Sequence, residues 1–340
     1  MLRIVVIPCL NEEASLADTC ASLGFGHGAH GLGDDTGLVL VDNGSTDGTD
    51  AIMERVRRLS LPGQVHILHE SERGYVPPRH RGVLFARDLA RTRSIPEERV
   101  LVIQADADTG YGAAYIEALA AAAHSLGPGV LLEGIRETRP DFAGAHPGFM
   151  ALCGQSDADI AGAFAPPEID VIVDDKASAF TLADYFAWGG LSREYTSSGE
   201  EMYAETSRFY MRGRFRGARR LSVGRAIAYP SRRKLYDDPI HYFATAGFPR
   251  ERSWYHEFDR IYQGPRELDA FEHASAAEAL AEAILMRQAH CVALFSVLPT
   301  HVESLRLQRL ENAALEQVGA DNGALLLEWA FARIAKPSRR

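Results

Sequence analysis

Cysteine is scarce in this 340-residue chain, and Cys9, Cys20, Cys153 and Cys291 show neither zinc-type pairing nor a dense secreted framework. Reduced thiols in a cytoplasmic protein are the simplest expectation. No apolar run approaches the roughly 20 residues that span a bilayer. The opening MLRIVVIP lacks the longer apolar core and cleavage signal of a leader, so it reads as a strand. Basic excess is also missing: the net charge of −10 argues against a general nucleic-acid binder, which needs a basic surface. Two local basic runs, RGRFRGARR at 212–220 and SRRK at 231–234, suit a solvated face or a ligand's phosphates. No internal repeat, low-complexity tract or GxxxxGK[ST] loop occurs. What remains is ordinary for a globular protein, with 46% hydrophobic and 24% charged residues. The length suits one large domain with an extension, or two domains.

Strands and helices alternate in the first 136 residues. LRIVVIP (2–8), GLVLVD (37–42), QVHILHE (64–70), RVLVIQ (99–104) and GVLLEGIR (129–136) read as strands. Between them Asn11 opens a helix, 47–59 forms another, Pro77 and Pro78 start a third, and 113–126 a fourth. Strands apolar throughout and alternating with helices imply a mostly parallel sheet covered on both faces. Residues 140–200 are looser, around IDVIVDD at 169–175. A helix is expected over 200–213 and a strand near 226–230. From about 265, ASAAEALAEAILMRQAHCVALF, HVESLRLQRLENAALEQV and NGALLLEWAFARIA form three amphipathic helical segments. Gly247, Pro249, Gly264 and Pro265 suit a joint before them.

Ligands of such sheets bind beyond the carboxyl ends of the strands. Pro8–Glu12, Asp42–Ser45, Glu70–Gly74 and Ala105–Asp108 all lie at such ends and should converge. Three motif matches are decoys. Gly26–Gly31 fits GxGxxG but follows a helix, where a dinucleotide loop follows a strand. Asn43–Glu54 is a weak calcium-loop match that begins at a strand end, and the Asn43-Gly44-Ser45 sequon is irrelevant in a cytoplasmic chain. The triplet Asp-Ala-Asp occurs twice. Asp157–Asp159 follows LCGQS and reads as an exposed loop, whereas Asp106–Asp108 closes an apolar strand. Two carboxylates there repel each other unless a cation lies between them. A hard divalent ion would use them and keep sites for substrate phosphates. The alternative is that Asp108 or Thr109 caps the next helix.

With these strand ends in order, the chain resembles the inverting family 2 glycosyltransferases, which have the GT-A nucleotide-diphosphosugar fold. IVVIPCLNEEASL resembles the family's first strand and Pro-x-x-Asn-Glu-Glu turn, and LVLVDNGSTDGT its second strand and Asp-rich turn. RGYVPPRHRGVLFAR resembles the Gly-x-x-x-x-Arg-Asn-x-Gly segment, with His80 in place of Asn, and VLVIQADADT the metal-binding strand end. The likeness is strong over residues 2–110 and returns more weakly at 185–235, in WGGLSREYTSSGEEMYAETSRFYMRG. It implies an α/β, Rossmann-like sheet with a C-terminal helical extension. Residues 1–110 would bind the nucleotide sugar, 111–250 would complete the catalytic and acceptor half, and 251–340 would form the extension.

The resemblance also implies roles. Asp42 would accept hydrogen bonds from the base, with Asn43 beside it, and Pro8, Leu10 and Glu12 would line the nucleoside pocket. Turn chemistry equally explains Asp42 and Asn43. Asp108 would bind Mn²⁺ or Mg²⁺ across the diphosphate, and Asp106 would hold the ribose or the metal's water. Arg79 would reach the diphosphate, or is simply an exposed helical arginine. Arg208 and Ser231–Arg233 fall where the family often places diphosphate contacts. The family's Glu-Asp pair is here Glu200-Glu201, so the acceptor's base would be Glu201, with Glu200 the other candidate; a charged helix start explains the pair as well. The Gln-x-x-Arg-Trp motif and membrane helices of processive synthases are absent, which points to single-sugar transfer from a UDP- or GDP-sugar to an unidentified acceptor. The C-terminal helices suit an acceptor site, a homodimer contact or simple packing alike. The rivals are a non-catalytic nucleotide-sugar sensor and a sugar-1-phosphate nucleotidyltransferase, whose Gly-rich basic loop is missing after the first strand.

Overall fold

In β1 (Leu2–Cys9), alternate side chains part company. Val5, Ile7 and Cys9 enter one buried cluster, while Leu2, Ile4 and Val6 enter another. Successive strand side chains point to opposite faces, so an all-apolar strand must be covered on both. Leu38 and Leu40 against Val39 and Val41 repeat the split in β2 (Thr36–Asp42), as do Leu101 and Ile103 against Val100 and Val102 in β4 (Val100–Gln104). One face is covered by α1 (Leu16–Ser22), α2 (Thr49–Leu59) and α4 (Tyr115–Leu126), which supply Cys20, Met53 and Leu119. The other is covered by α3 (Val76–Thr92), which supplies Val83 and Ala86.

The computed structural model describes residues 1–26, 32–164, 173–195, 199, 201, 204–247, 252–295 and 323–335. The remaining strands are β3 (Val65–His69), β5 (Gly110–Tyr111), β6 (Val130–Arg136), β7 (Ser178–Thr181) and β8 (Arg219–Tyr229). They form one eight-stranded sheet in the order β3-β2-β1-β4-β7-β6-β8-β5. The expected parallel arrangement holds through β3-β2-β1-β4 and between β6 and β8. β7 runs antiparallel to β4 and β6, and β5 antiparallel to β8, so the sheet is mixed.

Chain contacts divide the protein into two units, Met1–Thr138 with Val171–Ser231, and Arg139–Asp170 with Arg232–Arg340. The first holds the sheet. The second is helical, with its own aromatic core that includes Phe149, Phe243, Trp254, Phe258 and Phe271. Of the three expected C-terminal segments, the first forms helices at Ala276–Ala279 and Ala281–Phe295, and the third a helix at Gly323–Ala335. The segment at 301–318 lies outside the described residues. No helix among the described residues is long and apolar enough to cross a membrane.

Two local expectations are corrected. Asp157–Asp159 is not a loop but part of the helix Pro147–Phe164. Arg287 grips the Asp157 carboxylate through Nε and Nη2, both at 2.8 Å, and its Nη1 donates to the Phe243 carbonyl. Asn11 does not open α1. It takes a left-handed φ of 57°, and its side-chain oxygen accepts from the Thr46 amide at 2.8 Å, tying one strand-end turn to the next. Asn tolerates that conformation better than most residues.

The packing of α3 on β1 depends on Gly82. A Cβ there would collide with Val6 Cγ1, and Val6 is fully buried. Gly82→Ala therefore forces an overpacked contact between helix and sheet, with an expected loss of about 1–3 kcal/mol in denaturant unfolding. An unchanged midpoint would show that helix and sheet part easily there.

Candidate active site

The parallel register sets Cys9 beside Asp42, and Asp42 beside His69, so the three strands end level. The turns beyond them are stitched together by backbone donors. Asn11 N–H donates to Ser45 Oγ, Glu12 N–H to Thr49 Oγ1 at 2.8 Å, and Glu13 N–H to Asp47. Pro8 is half-buried at the end of β1, and Leu10 projects next to it with 43% exposure. Glu12 Oε2 accepts from Ser15 Oγ.

Asp42 is buried, and its two carboxylate oxygens accept from the Gly44 and Ser45 amides at 3.0 Å each. Burial pushes its pKa up, yet the bonds from Ser45 and Gly44 and the nearby His69 outweigh that, leaving it below the ordinary value. Asn43 is a tie between loops: its side-chain amide donates to the Glu70 and Glu72 carbonyls, and its oxygen accepts from Gly74 N–H at 3.3 Å. Asp42, Asp50 and His69 bring their ligand atoms within 4.8 Å of one another. The Asp42 oxygens in this group are already engaged by the turn.

At the end of β4 the two aspartates differ. Arg79 is no exposed helical arginine; its side chain is 8% exposed. Its Nη2 donates to Asp106 Oδ1 at 2.8 Å and to Asp175 Oδ2 at 2.9 Å, while Nη1 lies 3.4 Å from Glu205 Oε1. Lys176 Nζ approaches Asp106 Oδ2 at 3.5 Å. Burial, and after it Asp175, push Asp106 up to about 6 against the pull of Lys176 and Arg79. Burial likewise raises Glu205, opposed by Arg79. Asp175 ends below its ordinary value, because Lys176 and Arg79 together exceed the effect of its burial. Asp108, by contrast, is half-exposed, and no hydrogen bond or ion pair among the described residues takes up its carboxylate.

Glu201 reaches the loop after β3 from a distant segment. Its backbone forms an isolated bridge with Tyr195, and its carboxylate packs on Gly74, where a Cβ would collide with Oε2. Gly74 has a φ of 147°, so both space and backbone favour glycine there. Arg193 Nη2 donates to Glu201 Oε2 at 3.0 Å and also bonds Glu72. Glu201 Oε1 is buried, with no hydrogen-bond partner among the described residues. Glu200 lies outside the described residues. The expected helix begins at Glu205 and spans Glu205–Arg214, after the Ala204 backbone takes a φ of 64°.

The structure thus gathers Asp106, Arg79, Asp175, Lys176 and Glu205 in one network, and Glu201 with Gly74, Glu72 and Arg193 in another. Sequence reasoning missed Asp175, Lys176, Glu205 and Arg193. One signal was available: Asp174-Asp175 ends the apolar run IDVIV much as Asp106 ends VLVIQ.

A donor set of one unpaired carboxylate at a sheet's ligand edge suits a hard cation that takes its other ligands from substrate phosphates and water. The residues fit such an ion at Asp108. Asp106 is committed to Arg79 and Lys176.

Residues 4–131, from β1 into β6, match the family model described as Glycosyl transferase family 2, which marks that stretch as a glycosyltransferase domain. The chain is similar to the solved mannosyltransferase PcManGT from Pyrobaculum calidifontis in complex with GDP-Man and Mn²⁺. Identity is 18% and the TM-score 0.48, covering 100% of this chain and 88% of that one. It is also similar to S. aureus TarS 1–349 in complex with UDP-GlcNAc, at 12% identity and TM-score 0.47, covering 98% and 90%. A third likeness is to glucosyl-3-phosphoglycerate synthase from Mycobacterium tuberculosis with Mn²⁺ and UDP-glucose, at 18% identity and TM-score 0.35, covering 66% and 70%. None of the curated proteins matches the chain.

Proposed function

We propose that this protein is a metal-dependent, inverting glycosyltransferase that moves one sugar from a nucleoside diphosphate sugar to an acceptor hydroxyl. The observation that carries the reading is the Asp108 carboxylate just after β4, unpaired among the described residues and within a stretch that matches the glycosyltransferase model. Pro8, Leu10, Glu12, Asp42 and Asn43 form the nucleoside end of the site, and Arg79 with Asp106 builds the floor beneath the diphosphate. Asp108 would hold Mn²⁺ or Mg²⁺. When bound, that ion neutralises charge developing on the departing diphosphate.

Glu201 takes the acceptor's proton. Arg193 holds one of its oxygens, and Oε1 has no hydrogen-bond partner among the described residues. The acceptor oxygen then bonds to the anomeric carbon, and the bond from that carbon to the phosphate oxygen breaks. The electron pair leaves with the nucleoside diphosphate, and the proton stays on Glu201. The enzyme's advantage comes mostly from positioning and from stabilising charge. The chain works in the cytoplasm and adds one sugar per encounter.

Asp42→Ala tests the nucleoside end. Losing a charged hydrogen-bond acceptor costs roughly 1.5–3 kcal/mol, so uridine or guanosine should bind about ten- to a hundredfold more weakly. Calorimetry should show the same factor for the nucleoside and for its diphosphate. A loss confined to the diphosphate would move Asp42 out of the base pocket.

A further inference from the structure

We propose that Lys176 is a phosphate-binding residue, its ammonium contacting the diphosphate beside Asp108; this rests on the nucleotide-sugar reading of the site. Topology puts it there. β7 pairs antiparallel with β4, with Ile103 opposite Ala179, so the chain just before β7 runs beside the chain just after β4. One side chain locks the two together: Tyr111 Oη accepts from Asp106 N–H and donates to the Lys176 carbonyl, each at 2.9 Å. The Lys176 amide in turn donates to Asp174 Oδ1 at 3.0 Å. The root of the side chain is therefore fixed at the ligand edge of the sheet.

The ammonium itself is held by charge but not consumed by it. It lies 3.5 Å from Asp106, 3.6 Å from Asp175 and 4.0 Å from Asp174. Charge-assisted hydrogen bonds run at about 2.7–2.9 Å, so these are attractions at a distance, with N–H donors left for a ligand. Simple neutralisation is the competing explanation, and Arg79 shares in it through short bonds to Asp106 and Asp175. Exposure separates the two cations further: the Lys176 side chain is 29% exposed and that of Arg79 8%. Arg136 also lies 3.6 Å from Asp174, so that carboxylate keeps a cation without Lys176.

Residue type adds weight. Lys176, Lys234 and Lys336 are the only lysines among 36 basic residues, so a lysine here breaks a strong preference for arginine. Arginine binds by a rigid planar fork, whereas lysine offers a compact point charge with three rotatable donors. A diphosphate that must be held during bond formation and then released suits the second.

The test uses the full-length protein in EDTA with inorganic pyrophosphate as probe, followed by calorimetry. Wild type and Lys176→Arg should bind pyrophosphate, and Lys176→Met should lose affinity about tenfold or more. Lys176→Met should bind uridine and guanosine as wild type does. A second measurement does not depend on the variant folding. With [¹³Cε]lysine-labelled wild type, pyrophosphate should shift one of the three lysine resonances, the one absent from Lys176→Arg. Unchanged pyrophosphate affinity in Lys176→Met, or no shift of the Lys176 resonance, overturns the proposal. If UDP or GDP still binds with Mn²⁺ in that case, the transferase reading survives without Lys176. If neither nucleotide binds wild type at all, the transferase reading itself falls.

Discussion

Asp108→Asn should lower sugar transfer by about 10²- to 10⁴-fold, because the lost charge stabilisation is worth several kcal/mol and each 1.4 kcal/mol is tenfold in rate. The basis is the contrast at the end of β4. Asp106 has both oxygens facing cations of the protein, Arg79 at 2.8 Å and Lys176 at 3.5 Å. Asp108 faces none among the described residues. A half-exposed carboxylate without a partner costs the fold little to neutralise, so Asp108→Asn should melt near wild type while losing affinity for Mn²⁺. Steady-state transfer and metal titration together check this. Full activity in manganese would remove Asp108 from the metal site, and loss of both stability and activity would make it structural.

Glu201→Gln should abolish measurable transfer, a fall of about 10²- to 10⁴-fold for a general base, while donor affinity stays within a few-fold of wild type. The amide is isosteric and can still accept from Arg193, so the loop should keep its place. What it cannot do is take a proton at the Oε1 position, which is buried and has no partner among the described residues. Equal loss of donor binding and transfer would instead make Glu201 part of the donor pocket. If Glu200→Gln alone removes activity, the base is Glu200.

Much of the fold was legible because parallel strands buried on both faces write themselves as unbroken apolar runs. Ile4–Ile7 in β1, Leu38–Val41 in β2 and Val100–Ile103 in β4 do so, and the turns after them carry charged residues. β7 was not legible. Its four residues, Ser178–Thr181, are too short for periodicity to register, and its burial comes from being clamped between β4 and β6. Missing β7 meant missing its neighbours Asp175 and Lys176, which only the antiparallel pairing brings to Asp106 from about seventy residues away.

The site was legible in proportion to its dependence on strand ends. Asp42 closes β2 and Asp108 comes shortly after β4, so position in sequence nearly gives position in space. Arg79 was ambiguous because helical periodicity does not reveal that its guanidinium is buried among three carboxylates. Asp157–Asp159 shows the opposite error. Its triplet looks like Asp106–Asp108, but it sits inside a helix and its charge is answered by Arg287, 130 residues further on. Motif spelling cannot separate the two, whereas the element that precedes each one can.

The most direct measurement is calorimetric titration of the full-length protein with UDP, GDP and TDP, each with and without Mn²⁺. At least one nucleotide should bind, Mn²⁺ should tighten it, and Asp108→Asn should abolish the tightening but not the metal-free component. Failure of all three to bind in manganese would contradict the account at its centre.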